Sequence, residues 1–508
     1  MGEPLSSKFN TPKVRALKCL LGATEALQGG DQGEGISLNM VELMARFLIE
    51  HCGPISSDFS VYPSSENEST YNNLLEDATV ENVRDVALEC ICSLIQIHHM
   101  YVESTGKDES IQIRASLAME AVRKRCASIE DEEDDDMVNG FSGDENTLSH
   151  EKETRVLSGL SLLPRAKRSL CFRALESSLR GISADLNFHV NQELSLDSKS
   201  VNLLINFTNF TSSCLHGESD PRCLIQMLKL LKQIQLVILP CFLSSSALHS
   251  NKSNDSTGTD FPFLAIFDAV APYYPIKFTP PPSDPWGITR EALHDELLEV
   301  LICCTHLDVE TSTSLAADID GNMVVLATRL FIERLSPPSI HPFDDHDDDE
   351  ITTVQDRIDA LEDLTRLLLL PLDSSSCLGQ NAEFCPSNQK KQSWIFSNLS
   401  YEVVKEMSNA IVRCHEDAST SAVSASNSED QMENKKLANL CRNFITRISY
   451  EFEFQLQSEG LSSSQIDNGN RNASFWDCFV SQQVRDLSGI LSSSPQSVKG
   501  RVAIAYIA

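Results

Sequence analysis

Period-two alternation of apolar and polar residues is nearly absent from this sequence, which argues against a half-buried sheet. No run reaches the roughly 18 apolar residues that mark a membrane-spanning helix. The start, residues 1–13, lacks the apolar centre of a secretory leader. Basic residues are in deficit: 41 Lys and Arg against 73 Asp and Glu give a formal net charge of −32. A nucleic-acid reader carries a basic footprint, so direct nucleic-acid binding is not expected. The 16 cysteines contain no Cys-x-x-Cys pair. Most, including Cys19, Cys171, Cys241 and Cys441, fall on apolar helical faces and read as reduced core residues. With no export signal, a cytoplasmic and nuclear home is the expectation.

The usual chemical signatures are missing as well. Thr105-Gly106-Lys107-Asp108 lacks the upstream glycine and the following hydroxyl residue of a phosphate loop. The glycines between Gly29 and Gly35 join two helical patterns and do not follow a strand, so a dinucleotide fingerprint lacks its context. There is no His-Glu-x-x-His and no Gly-x-Ser-x-Gly. Cys90 and Cys92, with His98 and His99 nearby, resemble a ligand set, but two cysteines at i, i+2 leave a helix on different faces. Cys303, Cys304 and His306 have the same defect. The acidic runs 130–136 and 344–350 lack the glycine turn and the terminal bidentate Glu of a calcium loop. No catalytic, metal-ligating or cofactor-binding residue is therefore assigned, and the chain is not expected to be an enzyme. Arg165-Ala166-Lys167-Arg168 reads as an exposed helix end or as a short import signal.

What is present is helical periodicity. Val80, Val83, Ala87, Cys90, Ile91, Leu94 and Ile95 recur at steps of three and four. Ile351, Val354, Ile358, Leu361, Leu364 and Leu368 do the same, as do Leu437, Leu440, Cys441, Phe444, Ile445, Ile448 and Phe452. Each series draws one apolar stripe along a helix. Asp77, then Val83-Arg84, then Ala87 and Ile91 follow the pattern of the second helix of a HEAT repeat, an array with a period of about 40–47 residues. With 41% hydrophobic and 22% charged residues the composition is that of a folded protein. At 508 residues it is too long for a single core. The expected fold is all-α, a HEAT/ARM-like α-solenoid of stacked helix pairs with disordered acidic and Ser-rich insertions.

The expected organisation is HEAT-like repeats over 1–129, an acidic mobile linker over 130–154, and repeats over 155–335. An acidic loop at 336–350 and further repeats over 351–508 follow. Polar or Ser-rich stretches at 244–260, 373–392, 416–434 and 458–474 read as mobile loops, because they hold too little apolar area to offset ordering entropy. Residues 498–508 run apolar with no stop signal, which suggests a helix continued in a longer protein.

One stretch stands apart. From Tyr273 the chain runs through Tyr274, Pro275, Phe278 and Thr279 into Pro280-Pro281-Pro282. Asp284, Pro285 and Gly287 follow, and then Thr289, Arg290 and Glu291. Consecutive prolines favour a polyproline II rod. Asp284-Pro285-Trp286-Gly287 reads as a turn, and Thr289 caps the next helix, with Glu291 in its first turn. The unit is either a stiff connection between helices or a docking edge built on its aromatic residues.

The segment Tyr273 to Pro285, followed by Gly287-Ile288-Thr289-Arg290, resembles a hallmark of the Mms19 family of DNA repair and transcription HEAT-repeat proteins. Gly217-Glu218-Ser219-Asp220-Pro221-Arg222 with Leu224 is similar to the family pattern upstream of it. The strong resemblance covers 200–335. It implies the amino-terminal half of a non-catalytic adaptor in cytosolic iron–sulfur protein assembly. The implied partners are the other assembly targeting factors and apo clients such as DNA helicases, polymerases and primases. Cofactors, direct nucleic-acid contact and membrane contact are not implied. The alternative is a generic HEAT scaffold of the transport-receptor or phosphatase-subunit type.

Overall fold

The computed structural model describes residues 15–20, 22–23, 36–52, 83–96, 100–101, 107–126, 160–191, 196–238, 262–278, 287–312, 323–335, 353–369 and 401–458. The labelled helices are α1 (Leu38–Ile49), α2 (Lys107–Cys126), α3 (Arg165–Asn191), α4 (Ser198–Ser213), α5 (Pro221–Val237) and α6 (Pro262–Val270). They continue with α7 (Arg290–Ser312), α8 (Met323–Leu335), α9 (Val354–Leu369), α10 (Tyr401–Ser424) and α11 (Ser428–Ser458). A further helical stretch covers 83–95. Two strands of two residues each, Ile36–Ser37 and Met100–Tyr101, pair in parallel with Ile36 opposite Met100. The fold is all-α, and its helices pack in the manner of an α-solenoid.

Local chemistry sets the helix starts. Asp197 accepts from Ser200 N at 2.7 Å to open α4. Asp220 accepts from Arg222 N at 2.9 Å to open α5, with Pro221 in the first turn. Thr289 Oγ1 accepts from Ala292 N at 3.1 Å to open α7. At α9 the exchange is reciprocal: Asp356 N donates to Thr353 Oγ1 at 3.1 Å, and Thr353 N donates to Asp356 at 3.0 Å. Each device satisfies backbone donors that the first turn leaves open.

The chain divides into Met1–Val300 and Leu301–Ala508. In the first unit, two layers of co-directional helices emerge from the side-chain pairings. One layer holds α1, α2 and α4: Arg46 reaches Glu120 and Lys124 reaches Glu50, while Gln112 bonds Ser200 and Arg123 lies over the Phe210 ring. Both partners advance together along the sequence, so the helices run the same way. The other layer holds 83–95, α3, α5 and the start of α7. Asp85 pairs with Lys167, Ser169 donates to Gln226, and Lys232 pairs with Glu296 and Glu299. Between layers the helices run oppositely: Ser110 bonds Asp185, and further along α2 the Arg114 carbonyl accepts from Ser178. Alternating hairpins stacked in two layers are the defining arrangement of an α-solenoid. Buried Leu, Ile and Phe side chains fill the space between layers, each contributing about 1.5–3 kcal/mol on removal from water.

In the second unit α8 packs on α9 and α10, and α11 packs on α9 and α10. The stripes read from sequence are the buried faces: Val83, Ala87, Cys90, Ile91, Leu94 and Ile95 in one, Ile358, Leu361, Leu364 and Leu368 in another. Leu437, Cys441 and Phe444 are buried in the third. Val80, Ile351, Ile448 and Phe452, and the HEAT-like Asp77, lie outside the residues whose surroundings are described.

Two expectations need correction. The stretch 416–434 is not a loop. It forms the end of α10, a short turn and the start of α11. Its hydroxyl groups bond back along the helix, Thr420 to the Glu416 carbonyl at 2.8 Å and Ser424 to the Thr420 carbonyl at 3.1 Å. Ala418 and Ala422 face the core, and Asn427 caps α11 by accepting from Glu429 N at 3.0 Å. Polar composition hid a helix because its buried face is made of alanine. Cys19, expected on a packed face, is exposed. Leu17, two residues away and on the opposite side, is the buried one. The insertions 130–147, 244–260, 336–350 and 373–392 lie outside the described residues, as does 498–508.

Candidate docking surface

The Pro-rich segment begins as a continuation of α6. Phe263, Ile266, Ala269 and Val270 are buried, and a 3-10 turn, Ala271–Tyr273, follows. Ala271 accepts from Tyr274 N at 3.0 Å. The Tyr274–Pro275 peptide bond is cis. Tyr274 and Ile276 are both 3% exposed, and the Tyr274 ring lies 6.1 Å from that of His294 on α7. Arg290 Nε donates to the Ile276 carbonyl at 2.9 Å, which ties the segment to the first turn of the helix that follows it. Pro275 is buried, Phe278 half-buried and Lys277 exposed. Gly287 has φ +65°, with open space around it, so the left-handed backbone and not crowding calls for glycine there.

The second segment, Gly217 to Leu224, is a turn leading into α5. Gly217 has φ +74°. Glu218 is 6% exposed and is gripped by Arg168 of α3 through two parallel bonds, 2.8 and 2.9 Å. The same carboxylate accepts from Asp220 N at 2.8 Å. Asp220 in turn accepts from Arg222 Nε at 2.9 Å and Nη2 at 2.6 Å, bonds that hold its carboxyl below the usual carboxylate range. Leu224 is buried.

The two segments meet. Tyr273 donates its hydroxyl to the Leu215 carbonyl at 2.5 Å, in the turn that Glu218 organises. Burial of that phenol pushes its pKa up to about 12, so it stays a donor at any working pH. Residues some fifty positions apart in sequence thus form one joint, in which α3, the turn before α5, the end of α6 and the start of α7 are fastened to one another. Of the positions singled out from sequence, Tyr274, Pro275 and Arg290 belong to this joint, Phe278 borders it, and Gly287 turns the chain into α7. Thr279, Pro280, Pro281, Pro282, Asp284 and Pro285 lie outside the described residues. A buried Tyr274 packs the interior and leaves Lys277 and Phe278 as the outward-facing part of the segment.

The basic cluster at the start of α3 is spent internally. Lys167 pairs with Asp85, and Arg168 binds Glu218 and donates to the Leu163 carbonyl at 2.6 Å. Cys90 and Cys92 are both buried because helices enclose 83–95 on more than one side. Cys90 Sγ lies 3.3 Å from the Leu17 carbonyl, and burial raises the Cys92 thiol to about 12, so it is a protonated core group. Cys303 and Cys304 are likewise buried. Among the described residues, no group of three His, Cys, Asp or Glu is placed to hold a metal ion. No helix among them is long and apolar enough to cross a membrane. An open cleft of about 410 Å³ between α3 and α5 is lined by Leu179, Arg180, Asn187 and Gln233, and it holds no nucleophile beside a base.

Sequence reasoning missed the most deeply buried charged side chain among the described residues. Arg114 of α2 is 1% exposed, with Nε donating to Asp185 at 2.8 Å and a guanidinium nitrogen donating to the Ile95 carbonyl. Ser110 donates to the same Asp185 oxygen at 2.8 Å. Gly181 makes room: a Cβ there would sit 2.8 Å from the Ile95 carbonyl oxygen and nearer still to the Arg114 guanidinium. An arginine, an aspartate and a glycine spread over seventy positions carry no local signal. Only the polar interruption of two apolar stripes marks them.

Residues 101–316 match the family model described as Dos2-interacting transcription regulator of RNA-Pol-II, the MMS19 amino-terminal region. The chain is 36% identical over 101 residues, 20% of its length, to the MMS19 nucleotide excision repair protein homolog of Xenopus laevis. It is 31% identical over 131 residues, 25% of its length, to the mouse protein of the same description. The matched stretches span only 8% and 9% of those relatives. No solved structure matches the chain.

Proposed function

We propose, from the match of residues 101–316 to the MMS19 amino-terminal family model, that this chain is a member of the Mms19 family and works as a non-catalytic scaffold serving DNA repair and transcription. More specifically, it is an adaptor in cytosolic iron–sulfur protein assembly. It links the assembly machinery to apo-proteins of DNA replication, repair and transcription, in the cytoplasm and the nucleus. The observation that carries this reading is the joint between the two signature segments, which lies wholly inside the matched region. Tyr273 on the Leu215 carbonyl and Arg168 on Glu218 fasten successive helix pairs at a fixed geometry. A scaffold needs such rigidity, because a partner touching several repeats binds only if they keep their spacing. The net charge of −32 suits clients with basic, nucleic-acid-handling surfaces.

Affinity capture of the full chain from cytosol tests the reading. Recovery of iron–sulfur assembly factors together with apo iron–sulfur enzymes is the expected result. Recovery of import cargo or phosphatase subunits in their place would favour a generic HEAT scaffold.

A further inference from the structure

The seam between α3 and α5 changes character along its length. Near the start of α3 it is closed: Ser169 donates its hydroxyl to Gln226 at 2.7 Å, and the Gln226 amide donates to the Ser169 carbonyl at 3.3 Å. Two turns further along the same face of α5 stands Gln233, and three turns further along the same face of α3 stands Arg180. There the seam opens into the cleft of about 410 Å³. Buried Leu179 and half-buried Val237 give it an apolar lining. Arg180, Ser183 and Asn187 of α3 and Gln233 of α5 give it a polar one. Among the described residues, none partners the side chains of Ser183, Asn187 or Gln233. The next seam is different. Beside Gln233, Lys232 closes the junction of α5 with α7 by pairing with Glu296 and Glu299.

We propose that the open part of the α3–α5 seam is a docking groove for an extended peptide segment of a partner protein, gripped through its main chain and carrying an acidic residue near Arg180. The polar lining matches a polypeptide backbone. Each residue of a bound extended chain brings one N–H and one C=O that need partners once water is displaced. A carboxamide carries a donor and an acceptor together and can answer both. The fold already uses glutamine in this way: Gln226 holds the Ser169 carbonyl and Gln235 holds the Val300 carbonyl, each at 3.3 Å. Arg180, Ser183 and Asn187 form a row along α3 about 10.5 Å long, at about 1.5 Å per residue. That is the reach of about three residues of extended chain. Gln233 lines the cleft from the other helix. Compact ligands are mostly enclosed by their sites, and this cleft is open, so it suits a ligand that continues past it.

Charge selects the peptide. Arg180 is the charged side chain in the lining, and exposed Arg173 extends the same face of α3. Glu176, between them, is the acid that Arg180 already binds. In a chain of net charge −32 this is a locally positive stretch. It attracts an acidic peptide residue and repels a basic one. The groove rests on its own geometry and not on which machinery the scaffold serves.

The test uses the full chain and pools of capped heptapeptides that differ in one fixed position, Glu, Ala or Lys. Retained peptides are identified by mass spectrometry, and their affinities are measured by fluorescence polarisation. The Glu pool should be retained above the Lys pool. Asn187→Ala with Gln233→Ala should weaken the selected peptides by about tenfold, the loss expected for one or two hydrogen bonds. Both side chains are exposed, so circular dichroism should be unchanged. Arg180→Gln should remove the preference for Glu over Ala while leaving binding in place. N-methylation of the central peptide amides should abolish binding to the wild type, a result that needs no variant to fold. The proposal is overturned if no pool is retained, if the Lys pool is retained as well as the Glu pool, or if N-methylated peptides bind equally well. Unchanged affinity in the folded double variant would overturn it too. Failure here leaves capture of assembly factors untouched, so the groove and the scaffold reading fail separately.

Discussion

At Gly181 a side chain of a single hydrogen lets the Arg114 guanidinium lie across α3 and reach both Asp185 and the Ile95 carbonyl. Replacing that hydrogen by a methyl forces the guanidinium or the backbone to move. Gly181→Ala should destabilise the first unit by about 1–3 kcal/mol, the usual range for overpacking, as read by denaturant unfolding. Tyr273→Phe removes only the hydroxyl that binds the Leu215 carbonyl, and should cost about 1 kcal/mol while leaving the helices intact by circular dichroism. His415 supplies a pH dependence. Burial, with Arg442 nearby, lowers its pKa from 6.5 to about 4, so the folded chain keeps the ring neutral. The unfolded chain binds that proton first as pH falls. The stabilisation is complete above pH 6.5, declines below it and is exhausted once pH passes about 4. His415→Gln should flatten the stability–pH curve of the second unit between those values. Gly181 and His415 were not picked out from the sequence, and Tyr273 was read only as the start of the Pro-rich connection, without its partner. Each depends on a partner far along the chain, and periodicity carries no information about partners.

Elements were far more legible than residues. Apolar steps of three and four located the helices at 83–95, α9 and α11, because a helix that packs on one side must repeat its buried face every turn. The cap at Thr289 and the acid at Glu291 could be read from local chemistry, and the structure has them, with Glu291 held below the usual carboxylate range by backbone and Thr289 hydrogen bonds. The stretch 416–434 was misread because alanine, the best helix former, reads as weakly apolar where the neighbouring helix approaches closely. The reciprocal cap of Thr353 and Asp356 opens α9. Thr353→Ala should destabilise that helix by about 1 kcal/mol, seen as a loss of stability without loss of the remaining helices. The Pro-rich segment was legible as a connection, but not the anchoring of its first residues. The bond from Tyr273 to the turn at Leu215 joins segments whose sequence distance hides it.

At the scale of the packed units, the two-layer packing of the first unit buries its helices without one central core. Each hairpin buries its stripe against its neighbours. Ion pairs such as Lys232 with Glu296 and Arg46 with Glu120 set the register along each layer. The charge of −32 belongs to this scale too. If it steers basic clients, association should weaken as salt rises and the screening length falls below about 8 Å. Affinity that stays level from low to high salt would remove charge from the account. The most direct test of the scaffold reading is quantitative affinity capture with the full chain, wild type beside the Arg168→Ala, Tyr273→Phe double variant. The account predicts that the wild type recovers iron–sulfur assembly factors and their apo clients, and that the variant with its joint loosened recovers fewer clients. Capture of neither class by a properly folded wild-type chain would contradict it.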